Sequence, residues 1–285
     1  MNRPYHHGER GLALVAVLWL VAALSLIVTG LVASVRSETR LVSGAREGVV
    51  AGAAGDAAIH LVLQGMAAEP QPVSRLAQVQ VPYRGLAIAV EVMPLNGLID
   101  INQAPKGLLA QLFAVAGKVS PDVAENLAQS VLDTRSTKSA NGRERGFDAI
   151  EDLLQVPGVD YDAYANIARL ITADRPGSGK VNPMAAPEGV LLVLAGGDPA
   201  RAASVAAGRD AGQAGVDTTT TLATEFTDNA TTRRFRLTAR VPLPQGTAVV
   251  LISRSVDMGD GAQDGLPWRT FHVEQRLDAA SGRVN

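Results

Sequence analysis

The sequence predicts an α+β chain: a long N-terminal helix that enters a membrane and packs on an antiparallel sheet, with an all-helical segment inserted into the sheet. Three observations predict it. Leu12–Val35 runs for 24 residues without a charge, long enough to cross a hydrocarbon core of about 30 Å at about 1.5 Å per residue. Residues 86–93 and 234–241 alternate side-chain character with the period of a strand that has one buried face. Between them, the pattern A-P-[KE]-G-[LV]-L-x-x-L occurs at 104–112 and again 82 residues later, at 186–194.

The residues around the apolar run leave its processing open. A cleaved secretory signal would end near Val32-Ala33-Ser34, but such signals carry roughly 7–15 apolar residues, and the run here has 24. An uncut anchor fits the same residues. Charge does not settle orientation, because Arg3 and Arg10 on one side are matched by Arg36, Arg40 and Arg46 on the other.

Beyond the run, Val42, Ala45, Val49, Gly52, Asp56, Ile59, Leu63 and Met66 recur at three- and four-residue spacing, with no proline before Pro70. The helix is therefore expected to continue to about residue 69, with one seam open to another helix or a sheet. Asp56 and His60 lie one turn apart, a spacing that points to a solvated helix contact rather than a metal or catalytic pair. Pro70 and Pro72 end the helix, a strand follows at 86–93, and Pro94-Leu95-Asn96-Gly97 turns the chain.

In each copy of the repeat, a proline at a helix start is followed by apolar residues that specify a short buried helix. Pro121–Thr134 and Tyr161–Thr172 also read as helices, and Phe147–Val159 as a helix closed by a Pro-Gly turn. Gly196–Thr232, rich in Ala, Gly and Thr, reads as loop with short elements. Three antiparallel strands follow at Arg234–Val241, Ala248–Val256 and about Phe271–Leu277, expected to join strand 86–93 in one sheet over the helix. The expected divisions are 1–11, 12–35 in the membrane, 36–69 as the rest of the helix, 70–97 with 196–285 as the sheet, and 98–195 as the helical insert.

Composition and motif content exclude several functions. The net charge is −2, so no global field favours nucleic acid. With no Cys there is neither a disulfide nor a thiolate ligand or nucleophile. The four His form no triad or H-E-x-x-H, and no phosphate loop or dinucleotide fingerprint occurs, so no enzyme is expected. The element L-x-x-V-P-G-V after I-N-x-A also reads as a helix-hairpin-helix, which makes a membrane-anchored periplasmic DNA-binding protein the alternative. Such a hairpin needs backbone N–H groups free to approach a phosphate, and here Asp160 and Asp162 follow the turn. Asp257, Asp260 and Asp264 stand among glycines, a composition that can wrap calcium but that equally makes a hairpin turn.

Several of these elements resemble one family. E-R-G-L at 9–12, a polar leader ending in Gly before an apolar helix, is similar to the leader of type IV pilins and type II secretion pseudopilins. G-x-I-D-I-N-x-A-P-x-x-L-L at 97–109, L-L-Q-V-P-G-V at 153–159 and V-N-x-x-A-A-P at 181–187 resemble, in that order, the type II secretion protein K family of minor pseudopilins. The resemblance implies a pseudopilin fold with an inserted helical domain. It further implies cleavage by a prepilin peptidase between Gly11 and Leu12, and a place at the tip of a periplasmic pseudopilus, where the protein initiates or caps assembly.

The partners so implied are the major and other minor pseudopilins and the inner-membrane secretion platform. The seam of Val42, Ala45, Val49, Gly52, Ile59 and Leu63 would serve contacts to those subunits. Asp100, Asn102, Pro105, Asn182 and Pro187 are the matched motif residues. Ala16, the fifth residue after such a cut, replaces the usual Glu, as in this family. Two departures stand out: Gln103 occupies the usual Thr position, and the often acidic stretch of the insert is here the basic Ser136–Arg145, so the family's calcium ligands do not carry over onto that segment.

Overall fold

The computed structural model describes residues 9–69, 73–137, 146–174, 177–213, 215–244, 248–259 and 265–279. Helix α1, Glu9–Ala68, is 60 residues long, about 90 Å at helical rise. With no proline inside it, one helix carries both the apolar run and the seam. It is long and apolar enough to cross a membrane. Its two halves differ in what they touch. From Leu14 to Thr29 the large side chains are exposed, with Leu14 and Trp19 at 72% and Leu26 at 76%, as in a helix whose surroundings are apolar on every side. From Ala51 onward one face is buried.

That face lies on a five-stranded antiparallel sheet built from β1 (Ala77–Tyr83), β2 (Leu86–Pro94), β5 (Arg234–Pro242), β6 (Ala248–Asp257) and β7 (Arg269–Ala279), in that spatial order. The alternation read in the sequence places Ile88, Val90, Val92, Phe235, Leu237, Ala239, Val241, Val250 and Ile252 in one core with Ala51, Ala54, Ala58, Ile59, Val62 and Leu63 of α1. β1 was not expected. It pairs with β2 through a two-residue turn in which both Arg84 and Gly85 have positive φ, 49° and 81°, the geometry that matches strand twist in tight hairpins.

Between β2 and β5 lies the insert. It comprises β3 (Ile99–Asp100), α2 (Lys106–Gln111), α3 (Pro121–Ser136), α4 (Tyr161–Ile167), β4 (Ile171–Thr172), α5 (Glu188–Leu194) and α6 (Pro199–Asp210), with β3 and β4 paired in parallel. Phe147–Val159 forms a 3₁₀ helix at Ile150–Gln155 before the Pro-Gly turn, and the helix expected over 161–172 stops at Ile167, after which the chain straightens into β4. Leu108, Leu109, Phe113, Leu127, Ile167 and Val190 form part of a second, separate core.

The insert is larger than 98–195. α6 begins with Asp198 accepting from the N–H groups of Ala200 and Arg201 ahead of Pro199, and Ala202, Val205 and Leu222 belong to the helical core. Arg209, 5% exposed, donates to the carbonyl of Ala186 and fixes α6 to the second repeat. The chain returns to the sheet only at Arg234.

Candidate functional site

The motif residues form the joint between insert and sheet. The repeat places Pro105 and Pro187 as the N-caps of α2 and α5, with nearly equal φ of −69° and −66°. Before each proline stands an asparagine that ties distant backbone together. Asn102 donates through Nδ2 to the carbonyls of Phe147 (2.9 Å) and Ala173 (3.1 Å), and its Oδ1 accepts from the Phe147 N–H at 2.7 Å. Asn182 donates to the carbonyls of Ser74 and Ala230, both at 3.2 Å, while its Oδ1 accepts from Met184 N–H and its own N–H reaches the carbonyl of Asn96. One amide closes the insert on itself; the other holds both of its connections to the sheet. These residues are structural ties, not reactive groups.

Asp100 adds a charge to this joint. Its Oδ1 accepts from Asn102 N–H at 2.9 Å, while among the described residues Oδ2 is buried without a hydrogen-bond partner. Burial pushes its pKa from 3.8 up to about 7, against the opposing pull of the Asn102 N–H and the Arg135 charge. The folded chain therefore keeps a proton that the unfolded chain has lost between the ordinary carboxylate range and about pH 7, so stability falls as pH rises through that window. Asp100→Asn should be about as stable as wild type at pH 4 and increasingly more stable toward pH 8, by about 4 kcal/mol; a difference that is flat across pH would refute the assignment.

Arg234, at the start of β5, is the ionic counterpart. Its guanidinium pairs with Asp174 of the insert and, at 3.1 Å, with Asp257 of β6, and it lies 4.6 Å from the centre of the Phe271 ring. All three charged side chains are largely buried, with the guanidinium 18% exposed. Removing the arginine would strand two carboxylates, so Arg234→Met is expected to cost about 3 kcal/mol, measured by chemical denaturation. A variant as stable as wild type would show that the joint does not depend on this pair.

The remaining sequence-predicted residues separate. Of the seam, Gly52, Ile59 and Leu63 face the chain's own sheet, whereas Val42 (64% exposed), Ala45 and Val49 (72%) are open. The expectation that the whole seam serves other subunits is thus corrected for its C-terminal half, where the sheet covers α1 first. Gly11, Leu12 and Ala16 lie in the first turns of α1. Asp257 is engaged by Arg234, and Asp260 and Asp264 lie outside the described residues; among those described, no three metal-ligating side chains gather. In the hairpin read as a nucleic-acid element, Asp160 caps α4 by accepting from Ala163 N–H at 2.7 Å, so a carboxylate already occupies the place a phosphate would need.

A long N-terminal helix on an antiparallel sheet, with a helical domain let into the sheet's connectivity, is a pseudopilin fold. Among solved structures it is similar to a chain of the GspK-GspI-GspJ complex from the enterotoxigenic Escherichia coli Type 2 Secretion System, with a TM-score of 0.50 and 14% identity, covering 84% of this chain and 99% of that one. Neither a protein-family profile nor a curated protein sequence matches the chain.

Proposed function

We propose that the chain is a minor pseudopilin of a type II secretion system, held in the inner membrane by the first half of α1 with its bulk in the periplasm. It acts without enzymatic activity at the tip of the pseudopilus, where it initiates or caps assembly with other minor pseudopilins. The observation that carries this reading is the insert: a complete helical domain enters the sheet between β2 and β5 in a chain that shares its fold with a member of a minor-pseudopilin complex over 84% of its length. The exposed first half of α1 and the open Val42–Val49 flank supply an anchor and a surface for neighbouring subunits.

The reading requires a prepilin peptidase to cut after Gly11. In membranes containing that enzyme, N-terminal sequencing should return Leu12, and Gly11→Val should leave the chain uncut, since a β-branched side chain then crowds the cleaved bond. A mature chain beginning after Ala33 would replace this reading with a secretory signal. Co-expressed minor pseudopilins should be recovered with the full chain from detergent extracts; failure to recover any of them would count against the tip assignment.

A further inference from the structure

The face of the sheet turned away from α1 carries a cleft of about 320 Å³, roofed on one side by the insert at Arg169 and Pro187. Strand register arranges its side chains in rows. Arg240, Leu251 and Arg276 lie side by side across β5, β6 and β7, and the next row is Glu91, Thr238, Ser253 and Glu274. Arg236 stands in a third row beside Met93. Four arginines against two glutamates leave the cleft with an excess of two positive charges. Arg276 and Glu274 meet only at 4.0 Å, and among the described residues Arg169, Arg236 and Arg240 are within ion-pair distance of no carboxylate. Arg236 is partly desolvated, its burial opposed only by the more distant charges of Glu274 and Glu91. A guanidinium in that position gains from a bidentate carboxylate, because it has already lost part of its hydration.

The spacing indicates what kind of acid fits. Arg236 and Arg240 are four strand residues apart, about 13 Å, too far for one small anion to touch both and the right span for an extended peptide with two carboxylates. We propose that this cleft binds an extended acidic segment of another protein, one carboxylate on Arg236 and a second between Arg240 and Arg276, with the Thr238 and Ser253 hydroxyls, 3.3 Å apart, beneath the backbone between them. Arg169 closes over the segment from the insert. The proposal goes beyond the secretion reading and does not depend on it.

The test uses the full chain in detergent and fluorescence polarisation with a labelled oligo-glutamate peptide, an oligo-lysine peptide of equal length, and citrate as competitor. Oligo-glutamate should bind and weaken with salt, and Arg236→Met should reduce its affinity about tenfold. Arg169 and Arg240 are exposed, so the double variant Arg169→Gln/Arg240→Gln tests the site without a folding risk and should lose at least as much. Unchanged affinity in the double variant, equal binding of oligo-lysine, or displacement of the peptide by citrate at the peptide's own dissociation constant would each overturn the proposal.

Discussion

Ile59→Asp is expected to unfold the sheet domain, whereas Val49→Asp, ten positions earlier on the same helix, should leave its melting unchanged. Ile59 is 0% exposed in the core between helix and sheet, while Val49 is 72% exposed. A carboxylate forced into that core loses the packing of the isoleucine and is desolvated without a partner, together about 5 kcal/mol or more, which is comparable to the whole stability of a domain. At Val49 the same change adds a solvated charge, and its effect should fall on recovery of other minor pseudopilins instead. Thermal melting of both variants beside a pull-down separates the two outcomes. Equal destabilisation would mean that α1 is not divided between its own sheet and its neighbours.

Gly97→Ala is expected to be nearly as damaging, for a steric reason. A Cβ at this position would stand 2.2 Å from the carbonyl oxygen of Ala185 and 2.8 Å from the nitrogen of Ala186. These are backbone atoms, so no rotamer change relieves the clash, and the two motif segments would have to part. Separating them strains the hydrogen bonds that Asn182 makes to both connections of the insert, at the carbonyls of Asn96 and Ala230. The cost should be about 4 kcal/mol. Gly65→Ala is the control, since its Cβ meets nothing within 4 Å and it lies in α1, where alanine is the better helix former by up to about 1 kcal/mol. Chemical denaturation that places the two variants together would contradict the close approach at Gly97.

Where hydrophobic period and length agree, the architecture was legible in the sequence. The long helix, strand 86–93, the three C-terminal strands and both repeat helices follow from patterns that no tertiary contact needed to override. β1 was missed although Ala77, Val79, Val81 and Tyr83 alternate with Gln78, Gln80 and Pro82, because a proline interrupts the run and the turn that follows opens with Arg84 rather than the usual Asn or Asp. α6 was missed although Asp198-Pro199 is a helix-start signal, because its alanine-rich body shows little amphipathic contrast. The seam pattern located the face of α1 that is apolar, but periodicity carries no information on which neighbour reaches that face first. Likewise, alternation put the arginines of β5 on a polar face, yet nothing local said that Arg234 would meet Asp174, sixty positions earlier, while Arg236 and Arg240 would stay unpaired.

The continuity of α1 has an angular consequence. With no proline between its exposed and buried halves, the helix behaves as a screw: each residue advances it by about 1.5 Å and turns it by about 100°. If the exposed half docks one residue out of register, the sheet and insert at the other end must swing by about that angle around the helix axis. The azimuth of the globular part is therefore set by which face of residues 14–29 is held, at a distance of several tens of ångströms.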